Sequence, residues 1–132
     1  MRFVREDMVT SKEPSPDKCS AGVWQAEILS AIRDGGLRAH RFSYRPGAHS
    51  HWHIHDGEQA LYVLAGRGIV TRWEEPKGTE VGPGDWVHVE PGEKHWHGAV
   101  LDDVFVHLAI TATGGTEWLE IVEDDEYESR LP

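Results

Sequence analysis

Short segments rich in apolar residues recur along the chain, and turn-forming residues separate them. Glycine and proline mark most of the gaps, as in Asp34-Gly35-Gly36 and Gly82-Pro83-Gly84. The pattern predicts strands at residues 23–32, 37–44, 51–55, 59–64, 68–73, 86–89, 96–100 and 104–110. Many short strands at this spacing are typical of an all-β sandwich or barrel.

Two of these predicted strands are apolar on both faces. The inward residues are expected to be Gln59, Leu61 and Val63 in one strand, and Phe105, His107 and Ala109 in the other. The opposite faces are also largely apolar, although a solvated outer face should carry polar residues at alternate positions. We therefore expect a second sheet or a partner subunit to cover the outside, and we predict a homodimer.

The chain has 132 residues, which is enough for one domain with a buried core. Residues 1–20 contain Pro14, Pro16 and polar residues without a clear period, and we interpret them as an N-terminal arm that contributes to the dimer. Residues 21–132 are predicted to form a single domain. Acidic residues concentrate near the C-terminus, and this pattern indicates a solvated terminal face.

Composition excludes several classes of function. The net charge of −10 argues against a nucleic-acid surface. No apolar run approaches the ~20 residues of a membrane span, and the N-terminus lacks the apolar core of a signal peptide. The single Cys19 permits no internal disulfide, so we expect an inert thiol and a cytoplasmic location.

Two blocks of histidines carry the candidate chemistry. His53 and His55 are two residues apart, so on a strand both imidazoles point to one face and can bind one cation. Gln59 follows an Asp56-Gly57 turn and can return an amide oxygen to the same point. His95 arrives from about 40 residues downstream, after a Pro-Gly turn. The spacing predicts a metal pocket inside a β-barrel.

These blocks resemble the two motifs of the cupin family. The first motif is Gly47-x5-His53-x-His55-x3-Gln59-x6-Gly66, and the second is Gly84-x5-Glu90-Pro91-Gly92-x2-His95. The sequence has Gln59 where the family usually has Glu, Glu90 where it usually has Pro, and Ala99 where it often has Asn. The resemblance spans roughly residues 40–112, with core motifs at 47–66 and 84–99, and implies a jelly-roll barrel.

A narrower resemblance lies in the run from Pro91 to Ala99, in His107-Leu108-Ala109-Ile110 and in Glu117-Trp118-Leu119-Glu120. These segments look like small bacterial cupins related to carboxymuconolactone decarboxylase-associated proteins. Some of those are manganese-dependent hydroxynitrile lyases with three His ligands and one Gln. The resemblance implies one divalent metal, manganese first and Fe, Ni, Co or Zn as alternatives, bound by His53, His55, Gln59 and His95.

The rival to Gln59 as fourth ligand is Glu58. The step from Gln59 to Gly66 favours Gln59, and on an extended strand Glu58 would point the other way. Three imidazoles and an amide are all neutral, so a divalent metal would keep its full charge. Such a set should hold metal more weakly than one containing Glu, and should make the metal a stronger Lewis acid.

Several other histidines need a role. His97 shares the face of His95 on a regular strand, so we predict that it is a proton-transfer residue, with His107 as its orienting or alternative partner. His49 and His51 continue the alternation of His53 backwards, and we expect them at the cavity mouth or on the surface. His40 and His88 are expected to be structural.

Three functions fit these residues, each acting on or binding a small molecule. The first is a lyase acting on a hydroxynitrile or hydroxycarbonyl-type substrate. The second is a metal-dependent dioxygenase, which oxygen consumption would distinguish. The third is a non-catalytic ligand-binding protein. The fold alone cannot choose among them.

Overall fold

A computed structural model describes residues 1–112 and 114–132 of the chain. It contains a single 3-10 turn at Glu6–Met8 and one helix, α1, at Asp124–Arg130, within the part described. The strands are β1 Ser11–Lys12, β2 Val23–Leu29, β3 Arg38–Tyr44, β4 His53–His55, β5 Gln59–Gly66, β6 Gly68–Arg72, β7 Thr79–Val81, β8 Trp86–Val89, β9 His95–Ala99, β10 Phe105–Thr111 and β11 Thr116–Trp118.

The strands form two antiparallel sheets. The six-stranded sheet has the order β1-β2-β3-β10-β5-β8, and the five-stranded sheet has the order β11-β4-β9-β6-β7. Strands that are neighbours in a sheet are often distant in the chain, as expected of a jelly roll. The predicted all-β fold is confirmed.

All eight predicted strands are present, with small shifts at their ends. The segment expected to begin at residue 51 starts as a regular strand only at His53, because His49 and Ser50 form isolated bridges to Gly98 and Cys19. The pattern missed β1, β7 and β11, which are two or three residues long and too short to show a period.

One apolar cluster lies between the sheets. It contains Val23, Tyr44, Val63 and Phe105, all at most 2% exposed. The predicted inward faces of β5 and β10 are confirmed, since burial alternates residue by residue along both strands. This alternation directs every second side chain of both strands into the space between the sheets.

A second apolar cluster lies on the other side of the five-stranded sheet. It consists of Trp52, Ile69, Trp96, Val122 and Tyr127. The Tyr127 hydroxyl donates a hydrogen bond to the Ala99 carbonyl at 2.6 Å, and Trp52 Nε1 donates to Glu126 at 3.0 Å. The acidic C-terminal segment is therefore more than a solvated face, because Val122 and Tyr127 within it are buried in this cluster.

The first 20 residues contact the domain at several points. β1 pairs with β2, Arg41 on β3 forms an ion pair with Glu6 at 3.0 Å, and Cys19 is 3% exposed in the inter-sheet core. The boundary expected at residue 20 remains a prediction. None of the helical segments in residues 1–112 and 114–132 has the length and hydrophobicity needed to cross a membrane.

Gly66 ends β5 in a conformation that only glycine adopts easily, with φ +72°. A Cβ added there would lie 1.8 Å from the Val104 carbonyl oxygen. We expect Gly66→Ala to lower the free energy of unfolding by about 3 kcal/mol or more, since backbone strain and a clash with rigid backbone combine. Urea denaturation measures the change.

The matched control is Gly92→Ala. Gly92 has a similar φ of +73°, but no atom lies within 4 Å of the added Cβ. Gly92→Ala should lower the free energy of unfolding only by the backbone strain, about 1–2 kcal/mol. Equal losses in the two variants would show that the close approach to Val104 does not contribute.

Candidate metal centre

Three strands bring the four predicted ligands near one another on the inner face. Among the described residues, the ring nitrogens that lie within 4.8 Å of one another are those of His53, His95 and His97, so this group includes His97 and not His55. His53 and His55 lie on β4, Gln59 begins β5 and His95 begins β9. His53 is paired directly with His95 across the β4–β9 register, and their ring centroids are 4.2 Å apart. The ring of His55 lies 5.0 Å from His53 and 5.3 Å from His95. All four side chains are at most 5% exposed.

The hydrogen bonds of these residues leave metal-binding atoms free. The Nδ1 atoms of His53 and His95 donate to the carbonyls of His51 and Glu93, both at 2.8 Å, and His55 Nδ1 lies 2.9 Å from Thr116 Oγ1. These contacts fix ring orientation and place the bare nitrogen of each donating ring at Nε2.

Three buried polar atoms of the set have no partner among the described residues: His55 Nε2, Gln59 Oε1 and His95 Nε2. Burying an unpartnered polar atom is costly, and three together is unusual in a folded protein. Imidazole nitrogens and an amide oxygen are suitable ligands for a first-row divalent metal. The residues present therefore fit a metal ion.

The electrostatic environment keeps these imidazoles neutral. Burial lowers the pKa of His55 and of His95 to about 4, and burial together with the nearby His95 holds the pKa of His53 well below its usual value. A neutral imidazole is the form that binds a metal. The site is therefore ready for a cation at neutral pH without having to lose protons.

The rival ligand Glu58 lies elsewhere. It is exposed and contacts His88 Nε2 at 3.1 Å on the outer side of the sheet. Gln59 points inward, where its Nε2 donates to Thr111 Oγ1 at 3.2 Å and its Oε1 stays free. The structure thus brings Gln59, and not Glu58, to the histidine cluster.

Beside the ligand set, Tyr44 connects His97 and His107. Its hydroxyl lies 2.7 Å from His97 Nδ1 and 3.0 Å from His107 Nε2. His107 Nδ1 donates to the Leu108 carbonyl at 3.1 Å, so its Nε2 accepts a hydrogen bond from Tyr44. The Tyr44 oxygen then accepts from His97 Nδ1, which leaves His97 Nε2 without a proton.

Both histidines that hydrogen-bond to Tyr44 are neutral. Burial, followed by the neighbouring histidines, holds the pKa of His97 well below its usual value, and burial lowers that of His107 to about 4. One nitrogen of His97 also lies within 4.8 Å of nitrogens of His53 and His95. His97 therefore has two chemical options, a base beside the metal or a further ligand.

A cavity of about 390 Å³ opens onto this cluster. Its wall includes residues from both sheets and from the first 20 residues, among them Pro14, Lys18 and Cys19. Trp118 on β11 packs against His53 with ring centroids 4.6 Å apart. Burial raises the pKa of Cys19 to about 12, in agreement with the expected inert thiol.

His40 lies at the cavity wall, with its Nε2 3.8 Å from Glu27, and the structural role expected for it stays a prediction. Two other histidines differ from their predicted places. His49 and His51 are buried and lie neither at the mouth nor on the surface. His49 stacks on Tyr127 in the second cluster, and His51 bonds to the Pro16 carbonyl and the Val122 amide.

Sequence reasoning also missed three residues of the site. Tyr44 ends a predicted strand and carried no signal on its own. Trp118 lies in a segment that contributes to the resemblance, but its strand is too short to show which way the side chain faces. Arg38 begins β3 with its side chain at the cavity wall. Arg38, His40 and Phe42 are spaced two residues apart, so they share one face of the strand. This spacing was the signal in the sequence that could have placed Arg38 at the site.

Comparison with known proteins agrees with this architecture. Residues 40–111, more than half of the chain, match the cupin domain family. The chain belongs to the cupin family. The expected resemblance is thereby confirmed, and the two-sheet fold is that of a cupin jelly roll.

Relatives of this cupin include an enzyme. The chain is 41% identical over 91 residues to an (R)-mandelonitrile lyase from Granulicella tundricola, and the match covers 64% of this chain and 66% of that enzyme, just under two-thirds of its length.

Solved structures are also similar. A cupin-like protein from Thermotoga maritima has 31% identity and a TM-score of 0.83, with 89% of this cupin and 91% of that chain covered. The polyketide cyclase RemF from Streptomyces resistomycificus has 20% identity and a TM-score of 0.80, with 100% and 99% covered. At 20% identity, the similarity to the cyclase supports an inference about the fold alone.

Proposed function

We propose that this cupin is a metal-dependent lyase that acts on a hydroxynitrile or hydroxycarbonyl-type small molecule. The observation that carries the proposal is the proximity of His97, whose Nε2 is unprotonated, to the candidate ligands His53 and His95, with ring nitrogens of all three within 4.8 Å of one another. A similar protein is a mandelonitrile lyase, which supports the same class of reaction.

In this proposal His53, His55, Gln59 and His95 hold one divalent metal. Manganese is the first candidate, and Fe, Ni, Co and Zn are the alternatives. When bound, the metal would supply a Lewis acid that polarises a substrate oxygen.

The protein residues then handle the proton. His97 Nε2 receives the hydroxyl proton of the substrate, while Nδ1 stays bonded to Tyr44, which His107 orients. As the carbonyl forms, the carbon–carbon bond breaks and its electron pair leaves with cyanide, or with the carbanion of a hydroxycarbonyl substrate. The proton on His97 then neutralises the leaving group. The catalytic role falls to His97, and His107 positions it through Tyr44.

The test is cleavage of an aromatic cyanohydrin by manganese-loaded protein, followed as release of the aldehyde. Metal-dependent release supports the lyase. Absence of release, combined with metal-dependent oxygen uptake on an aromatic diol, would replace it with the dioxygenase. Ligand binding without turnover would favour a non-catalytic protein.

The amide ligand allows a direct test of the proposed metal set. We expect Gln59→Glu to bind manganese more tightly, because an anionic carboxylate replaces a neutral amide at the same point. Metal titration of wild type and variant measures the change. Glu58→Gln is the matched control and should leave affinity unchanged, since Glu58 lies outside the cluster. Unchanged affinity in Gln59→Glu, together with weaker binding in Glu58→Gln, would instead indicate that Glu58 is the ligand.

We also propose a homodimer formed through the outer face of the six-stranded sheet. This face carries Leu64 and Trp86, which are 41% and 63% exposed, and the partly exposed Tyr62 and Leu108. Light scattering should give twice the 14.9 kDa chain mass. A single-chain mass at micromolar concentration would disprove the dimer. The cytoplasmic location stays a prediction.

A further inference from the structure

One arginine in the cavity wall has no carboxylate partner among the described residues. Arg38 is partly buried, and its Nη2 atom is fully buried with no hydrogen-bond partner among the described residues. Four other arginines, Arg41, Arg67, Arg72 and Arg130, lie within 4.0 Å of a carboxylate oxygen. The remaining four, Arg2, Arg5, Arg33 and Arg45, are exposed to solvent. A guanidinium is always charged, and leaving part of it buried without a partner is costly.

The strand register places this arginine beside the proposed metal site. Arg38 is paired with Thr111 across β3 and β10, and Thr111 is paired with Gln59 across β10 and β5. Directly paired residues have Cβ atoms about 4.5–5.5 Å apart, within reach of a long side chain. Thr111 and Gln59 are both buried and joined by a hydrogen bond, so the row Arg38–Thr111–Gln59 crosses the inner face towards the histidines.

One further observation agrees with this placement. The cavity wall includes Arg38 together with His55, Gln59 and Thr111. Arg38 therefore faces the same space as the proposed ligands.

The charge of this wall favours an anion although the whole chain carries −10. Lys18 and Arg38 are the positive groups at the wall, and Glu27 is the negative one. Glu27 is 63% exposed and faces His40 at 3.8 Å. A ligand carboxylate can thus approach Arg38 without displacing an existing ion pair.

We infer that Arg38 binds a carboxylate of the substrate, so that the natural substrate is a small hydroxy or oxo acid. This inference rests on the proposed function and narrows its substrate to the hydroxycarbonyl class that carries an acid group. A planar guanidinium forms strong, directional hydrogen bonds to a carboxylate, which a neutral nitrile or amide cannot match. A cavity of about 390 Å³ limits the acid to a small molecule.

Binding, and not turnover, tests the inference. Calorimetry would compare mandelate with its neutral amide, and lactate with lactamide, on manganese-loaded and on metal-free protein. In wild type we expect the acids to bind ~10–100-fold more tightly than the amides, as for a charge-assisted pair. Arg38→Gln should remove this preference, and Arg38→Lys, which keeps the charge but loses the fork, should restore part of it.

Arg41→Gln is the matched control. Arg41 lies on the same strand but forms its ion pair with Glu6 on the outer side, so its removal changes the net charge equally and should leave the preference intact. Circular dichroism and thermal melting would verify that each variant is folded. If Arg38→Gln does not fold, Arg38→Lys serves as the test.

Three results would overturn the inference: equal binding of acids and amides, an acid preference that survives Arg38→Gln, or no millimolar binding of any acid tested. The proposed lyase function fails separately. If the acids bind through Arg38 but no hydroxynitrile or hydroxy acid is cleaved, the function is wrong and the subsite stands. If a cyanohydrin is cleaved but the acids show no preference over the amides, the function stands and the subsite is wrong.

Discussion

Replacing His53 or His95 with alanine is expected to abolish metal binding. His53 is central to the cluster, since it is paired with His95 in the strand register and lies 5.0 Å from His55. Each variant removes one of four proposed ligands and leaves the other free atoms unable to surround a cation. Elemental analysis of protein purified with manganese, followed by titration, measures the loss.

His88→Ala is the control for this experiment. His88 is exposed on the outer face, where its Nε2 lies 3.1 Å from Glu58, so its loss should not change metal content. Full metal occupancy in both His53→Ala and His95→Ala would show that the assigned centre is wrong. Loss of metal in His88→Ala as well would indicate nonspecific binding by surface histidines.

Replacing His97 with alanine should slow cyanohydrin cleavage by ~10²–10⁴, the usual effect of losing a general base. The reason is the direction of the hydrogen bonds, which leaves Nε2 of His97 as the unprotonated atom at the cluster. Initial rates of aldehyde release and the metal content of the same samples measure the effect. Tyr44→Phe should give a smaller loss, because His97 keeps its nitrogen but loses its orientation.

The pH profile provides a second measure. Burial holds the pKa of His97 well below its usual value, so the base form persists from neutral pH into acid, and activity should fall only as the solution becomes clearly acidic. Unchanged activity in His97→Ala would exclude His97 from the mechanism. Lost metal in that variant would make His97 a ligand, the other option that its distance to His53 and His95 allows.

Local periodicity was sufficient to predict most of the fold. The two-residue alternation of β5 and β10 identified the inward residues, because each strand is long enough to repeat several times. β11 and α1 were missed because three and seven residues show too little pattern. The position of α1 depends on Tyr127 and Val122 packing against tryptophans far away in the chain.

The candidate site was predictable only where neighbouring residues carry it. His53 and His55 share a face by local geometry alone, and the spacing of the glycines located Gln59 and His95. The link from His97 through Tyr44 to His107 depends on the register of β3 and β10, which no local pattern determines. Arg38 was missed for the same reason, since its importance arises from Thr111 and Gln59 on adjoining strands.

The pairing of His53 with His95, together with their bonds to backbone carbonyls, means that strand hydrogen bonds build the site before any ion arrives. A small zinc finger, in contrast, folds only around its ion. Here chelators should strip the ion without unfolding the chain, and dialysis should then exchange one divalent ion for another. The ion found in purified protein would therefore reflect the supply in the growth medium as much as the preference of the ligands.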